Sequence, residues 1–136
     1  MKTISKKKVT KITFGIVLVI TLAVGLVYYN FKLYLLDLPV EGVTKKQAYE
    51  KIFNRYNSIV YLNSANGYNW YIYQGNQKDG GTEMIKQFNT LGFRFKEQMG
   101  SGYVFIKDNG KDELVVESEQ WTSKYIIYQV PDEVQL

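Results

Sequence analysis

Cysteine and histidine are both absent from the 136 residues of this chain. Without cysteine there is no disulfide, no thiol nucleophile and no residue that could carry the lipid of a lipoprotein. Without histidine the chain lacks the commonest general base and the commonest metal ligand. No nucleotide-binding or metal-binding motif is present either. We therefore expect a protein that is not an enzyme and that holds no cofactor or metal.

Charge is absent from one long stretch near the N-terminus, Ile12–Phe31. Its 20 residues would span about 30 Å as a helix, which matches the hydrocarbon core of a bilayer. The apolar character continues to Leu36, and Pro39 disfavours helical backbone at Leu38, the residue before it. The sequence therefore predicts a transmembrane helix over residues 12–36 that binds the lipid bilayer.

Basic residues are distributed unequally about this stretch. The N-terminal tail, residues 1–11, contains five lysines, whereas Lys32 is the nearest cation at the other end. Because basic residues beside a membrane segment favour the cytoplasmic side, we expect the N-terminus in the cytoplasm and the rest of the chain outside the cell membrane. Aromatic residues would mark the outer interface at Tyr28, Tyr29, Phe31 and Tyr34.

A cleaved signal peptide is the alternative interpretation of the same residues. The basic tail resembles the first region of a signal peptide, and Ala23-Val24-Gly25 would serve as a cleavage site. Cleavage after Gly25 would leave the apolar sequence Leu26–Tyr29 at a new N-terminus. An uncleaved anchor would hold these residues in lipid instead, so we favour a single-pass signal anchor.

The net charge of +4 does not describe the rest of the chain. Six of the 17 basic residues flank the apolar stretch, which leaves 11 basic against 13 acidic residues elsewhere. Nucleic-acid binding requires a basic patch on the folded domain, and this balance argues against it. Lysine far outnumbers arginine and asparagine is frequent, a composition that suggests a low-GC Gram-positive bacterium.

Residues 37–43 form a short connector, and residues 44–136 have the pattern of one small domain. A helix and two strands precede a second helix, and four further strands follow it. Short turns join the strands, one of them at Asn109–Gly110, so the sheet should be antiparallel. We therefore predict an α+β fold, a two-layer domain in which both helices pack on one face of an antiparallel sheet.

Both helices of this domain have recognisable starting residues. Thr44 and Gln47 match a capping box at the start of the first helix. The apolar face that follows would carry Ala48, Ile52 and Tyr56. The second helix is predicted over Thr82–Leu91, after a polar and glycine-rich loop at residues 75–81.

Three short motifs resemble functional sites but have simpler interpretations. The serine in Gly100–Gly102 lies between two strands with no base to activate it, so this motif is interpreted as a hairpin turn. Asp79–Thr82 could present backbone amides to an anion, but it lacks the lysine of a phosphate loop and is interpreted as a capped loop. Three carboxylates near one strand are interpreted as a solvated face, with a weak cation site or a hydrolase as lesser alternatives: Glu113, Glu117 and Glu119.

Aromatic residues are frequent, with 12 tyrosines, 7 phenylalanines and 2 tryptophans. Alternation along the strand Tyr68–Gln74 places Tyr71 and Tyr73 on one face. Trp70 and Ile72 occupy the other, so either the sheet is covered on both sides or one aromatic face is exposed for a partner. For the second case the candidate partner-binding residues are Tyr71, Tyr73 and Tyr125. The rings expected in the core are Trp70, Phe93, Phe95 and Phe105.

These inferences favour a single-pass membrane protein whose extracytoplasmic domain binds another envelope protein, as an accessory subunit or an immunity-type inhibitor. The alternative is a module that binds cell-wall glycan through exposed aromatic rings. A flat apolar patch would favour the protein partner, whereas rings beside carboxylates in a groove would favour the glycan. The sequence predicts no nucleic-acid partner and no small-molecule cofactor.

Overall fold

A computed structural model describes residues 6–32, 37–107 and 110–136 of the chain. The chain divides into two compact units, residues 1–35 and residues 36–136. We call the second unit the C-terminal domain. Some sequence predictions lie outside the described residues: residues 1–5 of the basic tail, the end of the anchor at residues 33–36, and Asn109 of the predicted hairpin turn.

The first unit contains one helix, α1, at Lys6–Lys32. Its segment Lys7–Tyr28 is long and apolar enough to cross a membrane, and a signal sequence would have the same properties. Two hydroxyls within it are satisfied by the carbonyl one turn back, from Thr13 to Val9 at 3.0 Å and from Thr21 to Val17 at 2.9 Å. The predicted apolar helix is therefore present, and it begins at Lys6 rather than at the first apolar residue.

The C-terminal domain contains two helices and six strands, as the sequence predicts. They are α2 Lys45–Ile52, β1 Ile59–Ala65, β2 Tyr68–Gln74, α3 Gln77–Thr90, β3 Phe93–Met99, β4 Gly102–Lys107, β5 Glu113–Thr122 and β6 Tyr125–Pro131. The strands form one sheet in the order β1-β2-β6-β5-β4-β3, and every neighbouring pair is antiparallel. The α+β class is thus confirmed.

The two helices lie on opposite faces of the sheet, which corrects the prediction that both share one face. Helix α3 packs on the face that carries Tyr73 and Tyr128. Helix α2 packs on β1 and β2 from the other side, where Ile72 and Ile127 are fully buried and paired across the strands. Both faces of β2 are apolar, so each needs a cover. The sheet is therefore covered on both sides where β1, β2 and β6 meet.

Helix α2 is short because its ends are fixed locally. The capping box is present: the Gln47 amide donates to Thr44 Oγ1 at 3.2 Å, and the Thr44 amide donates to Gln47 Oε1 at 2.9 Å. The helix ends at Ile52, and Asn54 follows with a left-handed φ of 59°. Asparagine tolerates this conformation at a helix C-terminus. Tyr56, which the sequence places on the apolar face of the helix, therefore lies beyond it.

Helix α3 begins at Gln77, five residues before the predicted start. The cap is Asn76, whose side chain accepts from the Asp79 amide at 2.9 Å. Gly80 and Gly81, predicted in a loop, are therefore inside the helix and buried. A Cβ at Gly80 would lie 2.5 Å from Tyr128 Oη, and one at Gly81 would lie 2.6 Å from Tyr103 Oη. The two glycines let the helix backbone approach these tyrosines closely.

The main core lies between α3 and the sheet. Phe88 of α3 stacks on Phe105 of β4 with ring centroids 4.1 Å apart. Phe105 is buried as predicted, and Phe93 and Trp70 are half-buried. Phe95, also predicted in the core, is 37% exposed because it lies in the edge strand β3, although its ring still contacts Phe105. The core therefore thins towards the β3 edge of the sheet.

Candidate functional site

Tyr71 and Tyr73, the first two candidates for partner binding, are core residues. Each is 1% exposed, and both belong to the core cluster on the α3 face of the sheet. The Tyr71 hydroxyl accepts from the Leu136 amide at 3.0 Å, and the Tyr73 hydroxyl donates to Asn57 Oδ1 at 3.3 Å. The expectation that they form an exposed aromatic face is wrong, because α3 packs closely on Tyr73 and the C-terminal residue Leu136 is hydrogen-bonded to Tyr71.

Tyr125, the third candidate, lies on the opposite face of the sheet and remains half-buried. It pairs with Gln74 at the end of β6, and its ring lies 5.9 Å from the buried Trp121 ring. Burial raises the pKa of the Tyr125 phenol, and the neighbouring phenols of Tyr49 and Tyr56 raise it further. Tyr125 therefore sits beside two tyrosines from the α2 side of the domain.

A surface of aromatic rings surrounds Tyr125. We call it the aromatic patch and define it as Tyr49, Phe53, Tyr56 and Tyr125. Phe53 is 56% exposed and Tyr56 is 66% exposed, while Tyr49 is half-buried and its ring lies 5.8 Å from that of Phe53. Removing aromatic rings from water is energetically favourable. Rings that stay exposed together therefore distinguish this surface from the rest of the domain.

These rings are exposed because α2 ends early. Asn54 and Asn57 both adopt left-handed backbone, with φ of 59° and 56°. These two residues turn the chain away from the helical path, so Phe53 and Tyr56 leave the apolar stripe to which their spacing assigns them. Two asparagines three positions apart were the available signal, since asparagine is the non-glycine residue that best tolerates this conformation.

A shallow cleft of about 280 Å³ adjoins the patch. The loop after α2 and the β5–β6 turn form its walls, with the lining residues Tyr56, Asn57, Gln74, Gly75, Ser123 and Lys124. Its polar side-chain groups are two amides, two hydroxyls and an ammonium, and its lining contains no carboxylate. The cleft can therefore accept hydrogen-bonding or anionic groups beside an apolar surface.

Two cations, Arg55 and Lys124, belong to this region. Arg55 directly precedes Tyr56, and Lys124 lines the cleft with it. Both side chains are exposed, and neither has an ion-pair partner among the residues that the structure describes. The edge of the patch is therefore positively charged.

The patch lies at the end of the sheet opposite the connector. Glu41 of the connector is held at the β1–β2 turn, where its carbonyl accepts from Asn63 at 3.0 Å and its carboxylate accepts from Asn66 at 3.3 Å. Strand β2 runs from that turn to Gln74, beside the cleft. Seven strand residues at about 3.3 Å each separate the two ends by roughly 20 Å. The cleft beside the patch is consequently at the other end of β2 from Glu41.

The carboxylates on β5 form no metal-binding group within the part of the chain that the structure describes. They are exposed on the part of the sheet that α2 leaves uncovered, as the sequence predicts for a solvated face. Glu113 pairs with Lys96, and Glu117 accepts from the Ser101 hydroxyl at 3.0 Å. Among the described residues, no group of three or more potential metal-binding side chains is present.

A second cleft, of about 420 Å³, lies between α3 and the β3–β4 hairpin. Lys78, Thr82 and Phe95 contribute to its lining. Tyr103, one of its lining residues, is buried, and Gln77 and Ser118 lie beside its hydroxyl. This cleft has one partly exposed aromatic ring, so it offers less surface for a partner than the aromatic patch.

Comparison with known protein families, with curated proteins and with solved structures finds no match to this chain. The function of this chain is therefore inferred from the geometry of the C-terminal domain and from the apolar character of α1.

Proposed function

We propose that this protein is a single-pass membrane protein whose extracytoplasmic domain binds another envelope protein through the aromatic patch. The observation that carries the proposal is the exposure of Phe53 and Tyr56, which are the most exposed large rings of the described C-terminal domain. A partner of this kind makes the protein an accessory subunit or an inhibitor. The absence of assembled catalytic groups in the described residues is compatible with either role.

The energetics of the patch support binding. Covering a half-exposed aromatic ring removes on the order of 100 Å² from water, which contributes about 2 kcal/mol per ring. Interfaces concentrate their binding energy in a few aromatic and arginine residues near the centre of the contact. Phe53, Arg55 and Tyr56 place three such residues within four positions of the chain.

The membrane topology rests on α1 and on the lysines before it. An apolar helix of this length can cross a bilayer, and the lysine-rich end should remain in the cytoplasm. Protease added to intact protoplasts should digest the C-terminal domain and spare the N-terminal tail. Complete protection of the C-terminal domain would contradict this orientation.

Site-specific photo-crosslinking in the native membrane tests the binding surface. A photoreactive amino acid at Phe53 should yield a discrete adduct with one envelope protein. The matched control is Val115, an exposed apolar residue on the uncovered part of the sheet. Equal adducts at both positions, or none at Phe53, would contradict the proposal.

Binding of cell-wall glycan is the second candidate. The cleft beside Tyr56 favours it, because the amides of Asn57 and Gln74 could hydrogen-bond sugar hydroxyls beside a stacking ring. Carboxylates are missing from the lining of this cleft, which favours the protein partner. Sedimentation of the full-length protein in detergent with purified peptidoglycan would distinguish them, since loss of co-sedimentation in Tyr56→Ala would support the glycan.

A further inference from the structure

We propose that the aromatic patch recognises an acidic segment of its protein partner, in which carboxylates flank an apolar side chain. This inference rests on the proposed function and specifies the chemistry of the partner. It is carried by the combination of exposed rings with Arg55 and Lys124, two cations that have no ion-pair partner in the described structure.

Most lysines elsewhere in the domain are already neutralised or engaged. Ion pairs join Lys45 to Asp37, Lys46 to Glu50, Lys86 to Glu83, and Lys96 to Glu113. Lys51 donates to the Leu62 carbonyl and lies 5.5 Å from the centre of the Tyr61 ring. Arg55 and Lys124 therefore differ from these lysines in lacking a partner within the fold.

Two carboxylates close in the chain to the patch or its cleft have partners of their own. Glu50 lies 3.7 Å from Lys46, and Asp79 accepts from the Asn76 side chain at 2.7 Å. Asp79 also lies in the first turn of α3, where the helix dipole favours a negative charge. These carboxylates therefore do not compensate Arg55 and Lys124, and an acidic segment is complementary to the two cations.

The two cations suit carboxylates in different ways. The Arg55 guanidinium can bind a carboxylate with two parallel hydrogen bonds, and it follows Phe53 by two positions. The Lys124 ammonium is a point charge at the cleft that Tyr56 also lines. An extended segment could therefore place an apolar side chain on the rings and a carboxylate at either cation.

Selection from a random peptide library tests this chemistry while the partner protein is still unidentified. The full-length protein in lipid nanodiscs is the target, and counter-selection uses the variant with Arg55→Glu and Lys124→Glu. Enriched peptides should contain an excess of Asp and Glu around an aromatic or aliphatic residue. Their affinity should fall about tenfold or more in the doubly reversed variant and should weaken as salt is raised.

Lys107→Glu is the matched charge-reversal control, because Lys107 is an exposed lysine of β4 that has no ion-pair partner in the described structure. It should leave peptide affinity unchanged, and all variants should keep the parental melting temperature.

Enrichment of neutral or basic peptides, or unchanged affinity after reversal of Arg55 and Lys124, would overturn the inference. If a photoreactive amino acid at Phe53 still yields a discrete adduct with one envelope protein, the proposed function stands without the acidic segment. If that adduct is also missing, the proposed function fails as well.

Discussion

The two helices of the C-terminal domain differ in whether they bury the aromatic residues near them. Helix α3 has 14 residues and covers Tyr73, Tyr103 and Tyr128 so completely that two of its own residues must be glycine. Helix α2 has eight residues and ends before Phe53 and Tyr56, which stay exposed. The same residue types are therefore core under one helix and surface beyond the other.

This difference shows that residue type alone does not distinguish an anchor of the fold from a binding residue. Tyrosine has an apolar ring and a polar hydroxyl, so it suits both a buried and a half-wet position. What decides between them is how far the covering helix extends. That length is set by local capping at Asn76 for α3 and at Asn54 for α2.

The largest difference in the free energy of unfolding is expected between truncation of a buried ring and truncation of an exposed one. Tyr73→Ala should lower the free energy of unfolding by about 3–5 kcal/mol, because it leaves a cavity under α3. Tyr56→Ala should change it by about 0.5 kcal/mol or less, since that ring is exposed. Urea unfolding of the full-length protein in detergent measures both. Equal losses would show that the patch belongs to the core.

A smaller change in the free energy of unfolding is expected when a side chain is added where α3 lies close to the tyrosines of the sheet. Gly80→Ala gains about 1 kcal/mol in helix propensity but places a Cβ 2.5 Å from Tyr128 Oη and 2.9 Å from Tyr73 Cδ1. We expect a net loss of about 1–2 kcal/mol in the same unfolding measurement. Asn89→Ala, at an exposed position of the same helix, is the control and should not destabilise. A stabilising Gly80→Ala would contradict the close packing.

The smallest effect concerns the Tyr128 hydroxyl, which is buried and has no hydrogen-bond partner in the described structure. Removing it by Tyr128→Phe should stabilise the domain by about 1 kcal/mol. Tyr71→Phe is the matched control, because the Tyr71 hydroxyl accepts from the Leu136 amide and its loss should destabilise by a similar amount. Destabilisation by both changes would show that the Tyr128 hydroxyl is satisfied in solution.

The same residue gives a dependence on pH. Burial raises the pKa of Tyr128 above its ordinary value of 10.0, and Tyr103 and Tyr73 raise it further. The folded state then binds a proton that the unfolded state releases, so this contribution is complete below pH 10.0 and is lost as the pH rises above it. Thermal unfolding across the alkaline range should show a shallower decline in Tyr128→Phe than in the parent protein.

The elements that depend on local chemistry could be predicted from the amino-acid sequence alone. The apolar helix follows from a long run without charge, the capping box of α2 from Thr44 and Gln47, and the bounds of β2 from alternation and the flanking turns. The number of strands and the α+β class also follow from short-range patterns. Each of these depends on residues that are close together in the chain.

Which face each element buries depends instead on packing between distant parts of the chain. Both faces of β2 are apolar, so alternation separates Tyr71 and Tyr73 from Ile72 without showing which side is covered. Covering both faces required helices on opposite sides, and Gly80 and Gly81 became contact residues rather than a loop. The aromatic patch depends on the same arrangement, since residues from α2 meet Tyr125 from the last strand. Contacts between segments so far apart in the chain are chosen by packing, and a local pattern does not contain that information.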